Sequence, residues 1–398
     1  MNTYPKIYLH SKKTGALRRF HPWVFSGAIS KKEGNPTDGD IVEVFDQKNN
    51  RFLATGHYHK GSIAIKIFSF EQVAIDNAFW VAKFQKAYDV RAALGLPEAP
   101  NTNAYRLVHG EGDGIPGLIV DIYNNIAVVQ AHTIGMHRIQ EQIAQAIQKI
   151  YGDRLIAIYS KSKATLPSEY AKNVTDGYLL GKQETSITTI VENDQKFQIN
   201  WETGQKTGFF LDQRNNRQIL TKWVKGKTVL NAFCYSGGFS IYALQAGAKL
   251  VHSVDASAKA IDLLHENLKI NNLDDSKHEG YVDDVLKFLK NNTDTYEVMV
   301  LDPPAYAKTL AKRHRAIQGY KRLNIEGLKH IAKGGILFTF SCSQVVDRKL
   351  FYNTIVSAAI EAKRQVRVLG YLTQPADHPV SIFHPEGSYL KGLVLYVE

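Results

Sequence analysis

The feature that constrains this chain most is the pattern from Val229 onward, where apolar runs and amphipathic stretches alternate. The runs are VLNAF (229–233), LVHSVDAS (250–257), YEVMVLDPP (296–304) and GGILFTFSCS (334–343). Between them lie helical patterns through IYALQAG, AIDLLHENLKINN and a long segment ending at Ile331. A hydrophobic period that switches repeatedly between 2 and 3.6 predicts an α/β fold with a parallel sheet. In such sheets ligands bind beyond the carboxyl ends of the strands, so the residues that follow each strand carry the functional information.

After the first strand comes Asn231-Ala232-Phe233-Cys234-Tyr235-Ser236-Gly237-Gly238. Its paired glycines let the backbone turn tightly and approach a ligand. It lacks the three-glycine dinucleotide fingerprint, which argues against a nicotinamide oxidoreductase. The second strand ends at Asp255, whose carboxylate can accept both hydroxyls of a ribose. The third ends near Asp283-Asp284, where an acid can accept from an exocyclic amine or cap the next helix. A glycine loop and two acids at ordered strand ends point to an adenosine-type cofactor. The fourth strand delivers Asp302 on the turn Asp302-Pro303-Pro304-Ala305-Tyr306, stiffened by proline. The fifth delivers Cys342, which reads either as a small buried hydrophobe or as a nucleophile activated by a nearby amine or helix N-terminus. Cys234, between strand and helix, reads as packing.

The first 75 residues read as a small β-barrel, with short runs at Ile41–Phe45, Phe52–Gly56 and Ile63–Phe68 separated by turn residues. They hold 11 Lys and Arg against 6 Asp and Glu, out of 49 against 38 and a net +11 for the whole 398-residue chain. That excess favours a polyanionic partner. Lys12, Lys13, Arg18, Arg19, Lys31 and Lys32 lie near Phe20, Trp23 and Phe25, a mixture that suits RNA or, more plainly, an aromatic core with a solvated basic face. Residues 76–190 read as a central α+β domain. It has a helix from Asn77 to about Leu94, a hairpin at Asn124-Asn125 and a helix from about Met136 to Tyr151, while His109–Gly117 forms a turn-rich connection. Two cysteines make neither a disulfide framework nor a zinc ribbon, and no run of eighteen apolar residues occurs, so a cytoplasmic chain with no membrane partner is expected. The 14 histidines show no paired-ligand spacing, and no metal is expected.

HPWVFSGAI (21–29), TGQKTGFFLDQRNNR (203–217), VLNAFCYSGGFS (229–240), LDPPAY (301–306), GGILFTFSCS (334–343) and DHPV (377–380) occur together in this sequence. With them the chain resembles the bacterial large-subunit rRNA cytosine-C5 methyltransferases, which use S-adenosylmethionine and carry an N-terminal PUA domain. The resemblance implies a PUA-like RNA-binding barrel at 1–75, the central domain at 76–190, and a Rossmann-like class I methyltransferase domain at 191–398. By the same resemblance Phe233, Tyr235, Ser236 and Gly237 belong to the S-adenosylmethionine loop, Asp255 takes the ribose, Asp284 faces the adenine, and Gln213 and Arg214 border the cofactor. Asp302 stands between cofactor and target base, and Cys342 is the nucleophile. The implied partner is 23S ribosomal RNA; the oligomeric state is left open, a homodimer included. Asn231 stands where relatives usually have an acid, Asp283-Asp284 where Gly-Asp is common, and Ala305-Tyr306 where a Phe is usual at the second place.

The chemistry so implied needs a thiolate that adds to C6 of cytosine and a nearby acid that stabilises the charge pushed into the ring. Lys308, Lys312, Arg313, His314 and Arg315 read as phosphate contacts beside a flipped base or as a solvated helix face. Two other readings stand beside this one. DPPAY resembles the NPPY-type turn of exocyclic-nitrogen methyltransferases acting on guanine N2 or adenine N6, which need no thiol. A non-catalytic RNA-binding assembly factor is the other.

Overall fold

The computed structural model describes residues 4–398, so the first three residues of the expected barrel segment lie outside the described residues. The chain divides into two units: residues 4–190 with 199–211 and 376–387, and residues 191–198 with 212–375 and 388–398.

The first unit contains two sheets. Its six-stranded sheet runs, edge to edge, Trp23–Phe25, Ile63–Ser69, Phe52–Tyr58, Ile41–Asp46, Lys6–Leu9, Ile29–Glu33. Alternate residues such as Ile7, Leu9, Val42 and Val44 point into a core shared with Ala54, Ile65 and Ile67. Phe20 and Phe25 stay out of that core, about half exposed. The aromatic-core alternative therefore does not hold for these two rings. Trp23 is fixed instead: its Nε1 donates to Glu111 Oε1 at 2.8 Å, and Lys66 Nζ lies 3.3 Å from the same oxygen. Glu111 belongs to the His109–Gly117 connection, so the HPW motif is tied to that turn.

The five-stranded sheet has the order Gly177–Gly181, Ala157–Ser160, Ile126–Ala131, Leu118–Tyr123, Ala104–His109. Asn124 turns the expected hairpin with φ 57°, a left-handed conformation that Asn tolerates. The helix expected from Met136 to Tyr151 is in fact two, Ile134–Arg138 and Gln140–Tyr151. Ile139, at φ −101° and ψ 16°, breaks the helical path between them. The DHPV motif packs in this unit, where Asp377 Oδ2 accepts from the Arg106 N–H at 3.0 Å and Arg91 Nη2 donates to the Asp377 carbonyl at 2.7 Å.

The second unit is built on a seven-stranded sheet. Its strands are β1 (Thr228–Ala232), β2 (Leu250–Asp255), β3 (His278–Val282), β4 (Tyr296–Leu301), β5 (Ile331–Ser341), β6 (Val366–Leu372) and β7 (Lys391–Val397). The spatial order is β3-β2-β1-β4-β5-β7-β6. The first five are parallel, β7 is antiparallel to β5, and β6 is antiparallel to β7. A helix over Arg214–Leu220 precedes the sheet, and those after β1 are α1 (Gly238–Gln245), α2 (Ala258–Ile270), α3 (Val285–Asn291), α4 (Arg313–His330) and α5 (Arg348–Glu361). β1 and β4 are neighbours on which the strand order reverses, and a crevice opens at such a switch point. Strands buried on both faces require continuous apolar runs, and β4 (YEVMVL) and the end of β5 (ILFTFS) supply them. Among the described residues no helix is long and apolar enough to cross a membrane.

Candidate active site

The carboxyl ends of β1, β2, β4 and β5 bring most of the sequence-selected residues of this unit to one edge of the sheet. The loop from β1 to α1 is strained: Phe233 and Tyr235 have φ of 61° and 46°. A left-handed conformation costs a bulky residue roughly 1–2 kcal/mol, so the surroundings must hold it. They do so through two hydrogen bonds to the end of β2: the Tyr235 N–H donates to Asp255 Oδ2 at 3.0 Å and the Cys234 N–H to the Val254 carbonyl at 3.1 Å. Asp255 Oδ1 accepts from the Ser257 N–H at 2.9 Å, which fixes the carboxylate's orientation. Gly237, at φ 80°, caps α1; a methyl group on its Cα would lie 2.5 Å from Leu264 Cγ. Cys234 is buried, and burial, with Asp255 nearby, pushes its thiol well above the ordinary range, as packing requires.

Asp284 sits at the N-terminus of α3, where its Oδ1 accepts from the Lys287 N–H at 2.9 Å. One oxygen is thus committed to a helix cap, the alternative use of an acid at that place.

Asp302 follows β4 and is half-buried. Gln213 Nε2 donates to its Oδ2 at 2.9 Å, and Gln213 Oε1 in turn accepts from Asn216 Nδ2 at 2.6 Å. Burial and the Asp212 carboxylate push the Asp302 carboxyl up to about 7, against the opposing pull of Gln213 and Arg217. Two carboxyls that repel one another keep a proton on one of them near neutrality. Asp212 was not singled out by the sequence, although it adjoins Gln213. Its Oδ2 accepts from the Tyr389 hydroxyl at 2.7 Å, while its buried Oδ1 has no hydrogen-bond partner among the described residues.

Cys342 follows β5 and is partly exposed. Its Sγ lies 3.9 Å from the Pro303 carbonyl, one residue beyond Asp302. Thiol and proline turn therefore meet at one rim. Ser343 Oγ donates to the Ala307 carbonyl at 2.6 Å, which pins the two strand ends to each other. Tyr306 lies against its own helix: its ring centroid is 4.7 Å from that of Tyr320, and a methyl group at Gly319 would meet it at 2.8 Å. Lys308, Lys312, Arg313, His314 and Arg315 are all exposed, and none is in an ion pair among the described residues.

The residues present fit S-adenosylmethionine. The β1–α1 loop has a buried Ser236 hydroxyl without a partner, a glycine where a side chain would clash, and the Asp255 carboxylate tied to it, while the orphaned Asp212 oxygen suits a cationic group. Arg214 is buried on the helix that carries Arg217, whose guanidinium makes two bonds to Glu192, at 2.8 and 2.7 Å. Histidine spacing gave no metal site. Two groups nevertheless bring three donor atoms within 4.8 Å of one another, His21 with His384 and Glu386, and His265 with Asp275 and His278, each drawn from separate segments.

Residues 7–70 match a family described as a PUA-like domain, and residues 105–379 one described as S-adenosylmethionine-dependent methyltransferase. Over 395 residues the chain is 38% identical to ribosomal RNA large subunit methyltransferase I of Aeromonas hydrophila, with 98% of each chain covered. The protein of the same name from Klebsiella pneumoniae is 36% identical over 399 residues, covering 99% of this chain and 98% of its own. A methyltransferase crystallised with SAH superposes with a TM-score of 0.85 at 23% identity, covering 98% of this chain and 99% of that one. At that identity the likeness concerns the fold.

Proposed function

This chain belongs to the family of the ribosomal RNA large subunit methyltransferase I proteins, S-adenosylmethionine-dependent methyltransferases with an N-terminal PUA-like domain, and from that premise we propose that it methylates carbon 5 of a cytosine in large-subunit ribosomal RNA, with Cys342 as nucleophile. The observation that carries the reading is the meeting of two strand ends. The Cys342 sulfur stands 3.9 Å from the Pro303 carbonyl, on the turn whose first residue, Asp302, has its carboxyl pushed up to about 7 by burial and Asp212.

Phe233, Tyr235, Ser236 and Gly237 would hold the cofactor with Asp255 at its ribose, Asp284 toward its adenine, and Gln213, Arg214 and Asp302 on the side of the target base. Bound S-adenosylmethionine supplies a methyl group on a sulfonium sulfur. Carbon 5 of cytosine is a poor nucleophile, so the chain must first make the ring electron-rich. The Cys342 thiolate adds to C6, forming an S–C bond and pushing the ring's π-electrons toward C5 and N3. Asp302, in its protonated form, hydrogen-bonds the ring nitrogen and stabilises that charge. After alkylation at C5, loss of the C5 proton expels the thiolate and restores the aromatic ring. The exposed run from Lys308 to Arg315 borders the proline turn and suits the phosphates flanking a flipped base.

The amine-methylation reading is weakened by Tyr306, which packs on Tyr320 and Gly319, whereas that chemistry needs the aromatic of the turn stacked on the base. The test combines two measurements. Bisulfite or mass-spectrometric mapping of ribosomal RNA from cells with and without the protein should show one cytosine losing its methyl group. Purified Cys342→Ala should still bind S-adenosylmethionine and should not methylate. Full methylation by that variant transfers the assignment to an exocyclic nitrogen, and failure of the wild-type chain to bind the cofactor at millimolar concentration transfers it to a non-catalytic factor.

A further inference from the structure

One buried cation in the second unit is used by none of the steps above. Lys391 opens β7, and its Cα is the register partner of Ser341, the residue before Cys342. Its side chain is almost fully buried, with 3% of the residue exposed. The ammonium donates to the Ser343 carbonyl at 2.7 Å and to the Val346 carbonyl at 2.6 Å. Both acceptors are neutral, and among the described residues no carboxylate lies within ion-pair distance of it.

Burying a lysine without a counter-ion is costly, and a chain that only needed to bridge two carbonyls could do so with a neutral donor. The two carbonyls belong to the turn that Cys342 heads, so the charge is held against the strand end that presents the sulfur. We propose that Lys391 is a positioning residue for Cys342: its ammonium clamps the 343–346 turn and provides the positive charge that favours the Cys342 thiolate. This inference rests on the nucleophile assigned above and adds the means by which that sulfur is ionised. Two further observations agree with it. Burial pushes the Lys391 ammonium down to about 8, with Arg348 acting the same way, while the Cys342 sulfur and, less strongly, the Asp347 carboxyl act in the opposite direction; the Tyr320 hydroxyl also faces the sulfur. Gly392 follows directly, and a methyl group there would strike the Phe340 ring at 2.5 Å, so this stretch of β7 is seated closely on β5.

The test is the pH profile of iodoacetamide alkylation at Cys342 in the full chain, with the modified peptide identified by mass spectrometry so that Cys234 does not contribute. The wild-type midpoint should lie below the ordinary thiol value of about 8.5. Lys391→Met should raise it by at least about one unit, slowing alkylation at pH 7 about tenfold, and Lys391→Arg should restore most of the rate. Equal midpoints in wild type and folded Lys391→Met overturn the proposal. If Lys391→Met does not fold, a wild-type midpoint at or above 8.5 overturns it alone, and one below 8.5 that Lys391→Arg preserves supports it. Failure of the nucleophile assignment is seen elsewhere, as methylation that survives Cys342→Ala.

Discussion

Removing the Arg217 guanidinium gives a sharp test of what holds the β1–α1 loop. Arg217 and Glu192 are buried, with side-chain exposures of 3% and 0%, and they share two hydrogen bonds. The Tyr242 hydroxyl adds a bond to Glu192 Oε1 at 3.0 Å. A methyl group at Gly238 would lie 3.1 Å from Arg217 Cδ, so the stem of the arginine is packed on the first turn of α1. In Arg217→Met the stem volume is kept and the carboxylate is left in the interior with a tyrosine. A buried charge that loses its only cationic partner costs ~3–5 kcal/mol. Urea unfolding of wild type and variant, followed by tryptophan fluorescence, reads the difference directly. Adding Glu192→Gln should recover part of the loss, because the interior then holds no unpaired charge. A penalty below about 1 kcal/mol, or one that Glu192→Gln makes worse, refutes the reasoning.

Two further outcomes follow from the rim of the sheet. Gly237→Ala should lose cofactor affinity and destabilise the chain by about 2–5 kcal/mol, combining a left-handed backbone with a forced shift of Leu264; unchanged binding in calorimetry would count against the loop as the cofactor site. Because the Asp302 carboxyl is raised to about 7, its protonated form prevails below that pH and is lost above it. Single-turnover methyl transfer should accordingly decline on the alkaline side, and Asp302→Asn should abolish that decline while lowering the rate by about 10²–10⁴; an alkaline fall that persists in the variant assigns it to another group.

What could be read from residues alone follows the range of the physics involved. The α/β pattern was legible because a strand covered on both faces must be apolar throughout, and β4 and β5 meet that demand within single short windows. The place of Asp255 at the end of β2 was legible for a similar reason: it closes such a window. The same reasoning could not choose between uses at Asp284, since capping α3 and accepting from an adenine place the same residue type at the same strand end. Asp212 and Lys391 escaped notice because their meaning depends on partners far along the chain, Asp302 and Tyr389 for one, the turn after Cys342 for the other. In sequence each is an ordinary charged residue.

In the function proposed above, these distant partners set the charges at the rim. A thiol and a carboxyl placed side by side in water would both hold the wrong charge at neutral pH for addition to a pyrimidine, the sulfur protonated and the oxygen ionised. Reversing both requires opposite fields at the ends of two neighbouring strands. Asp212, together with burial, raises the carboxyl after β4, and Lys391, anchored on β7, is bonded to the turn that follows the thiol after β5. Parallel strands suit this arrangement, because they deliver the carboxyl and the thiol to one edge while flanking elements bring the other charges. If the two fields act independently, Asp212→Asn should move only the alkaline limb of the transfer profile and Lys391→Met only the alkylation midpoint of Cys342. A shift of both by either substitution would mean that the carboxyl and the thiol titrate as one coupled pair.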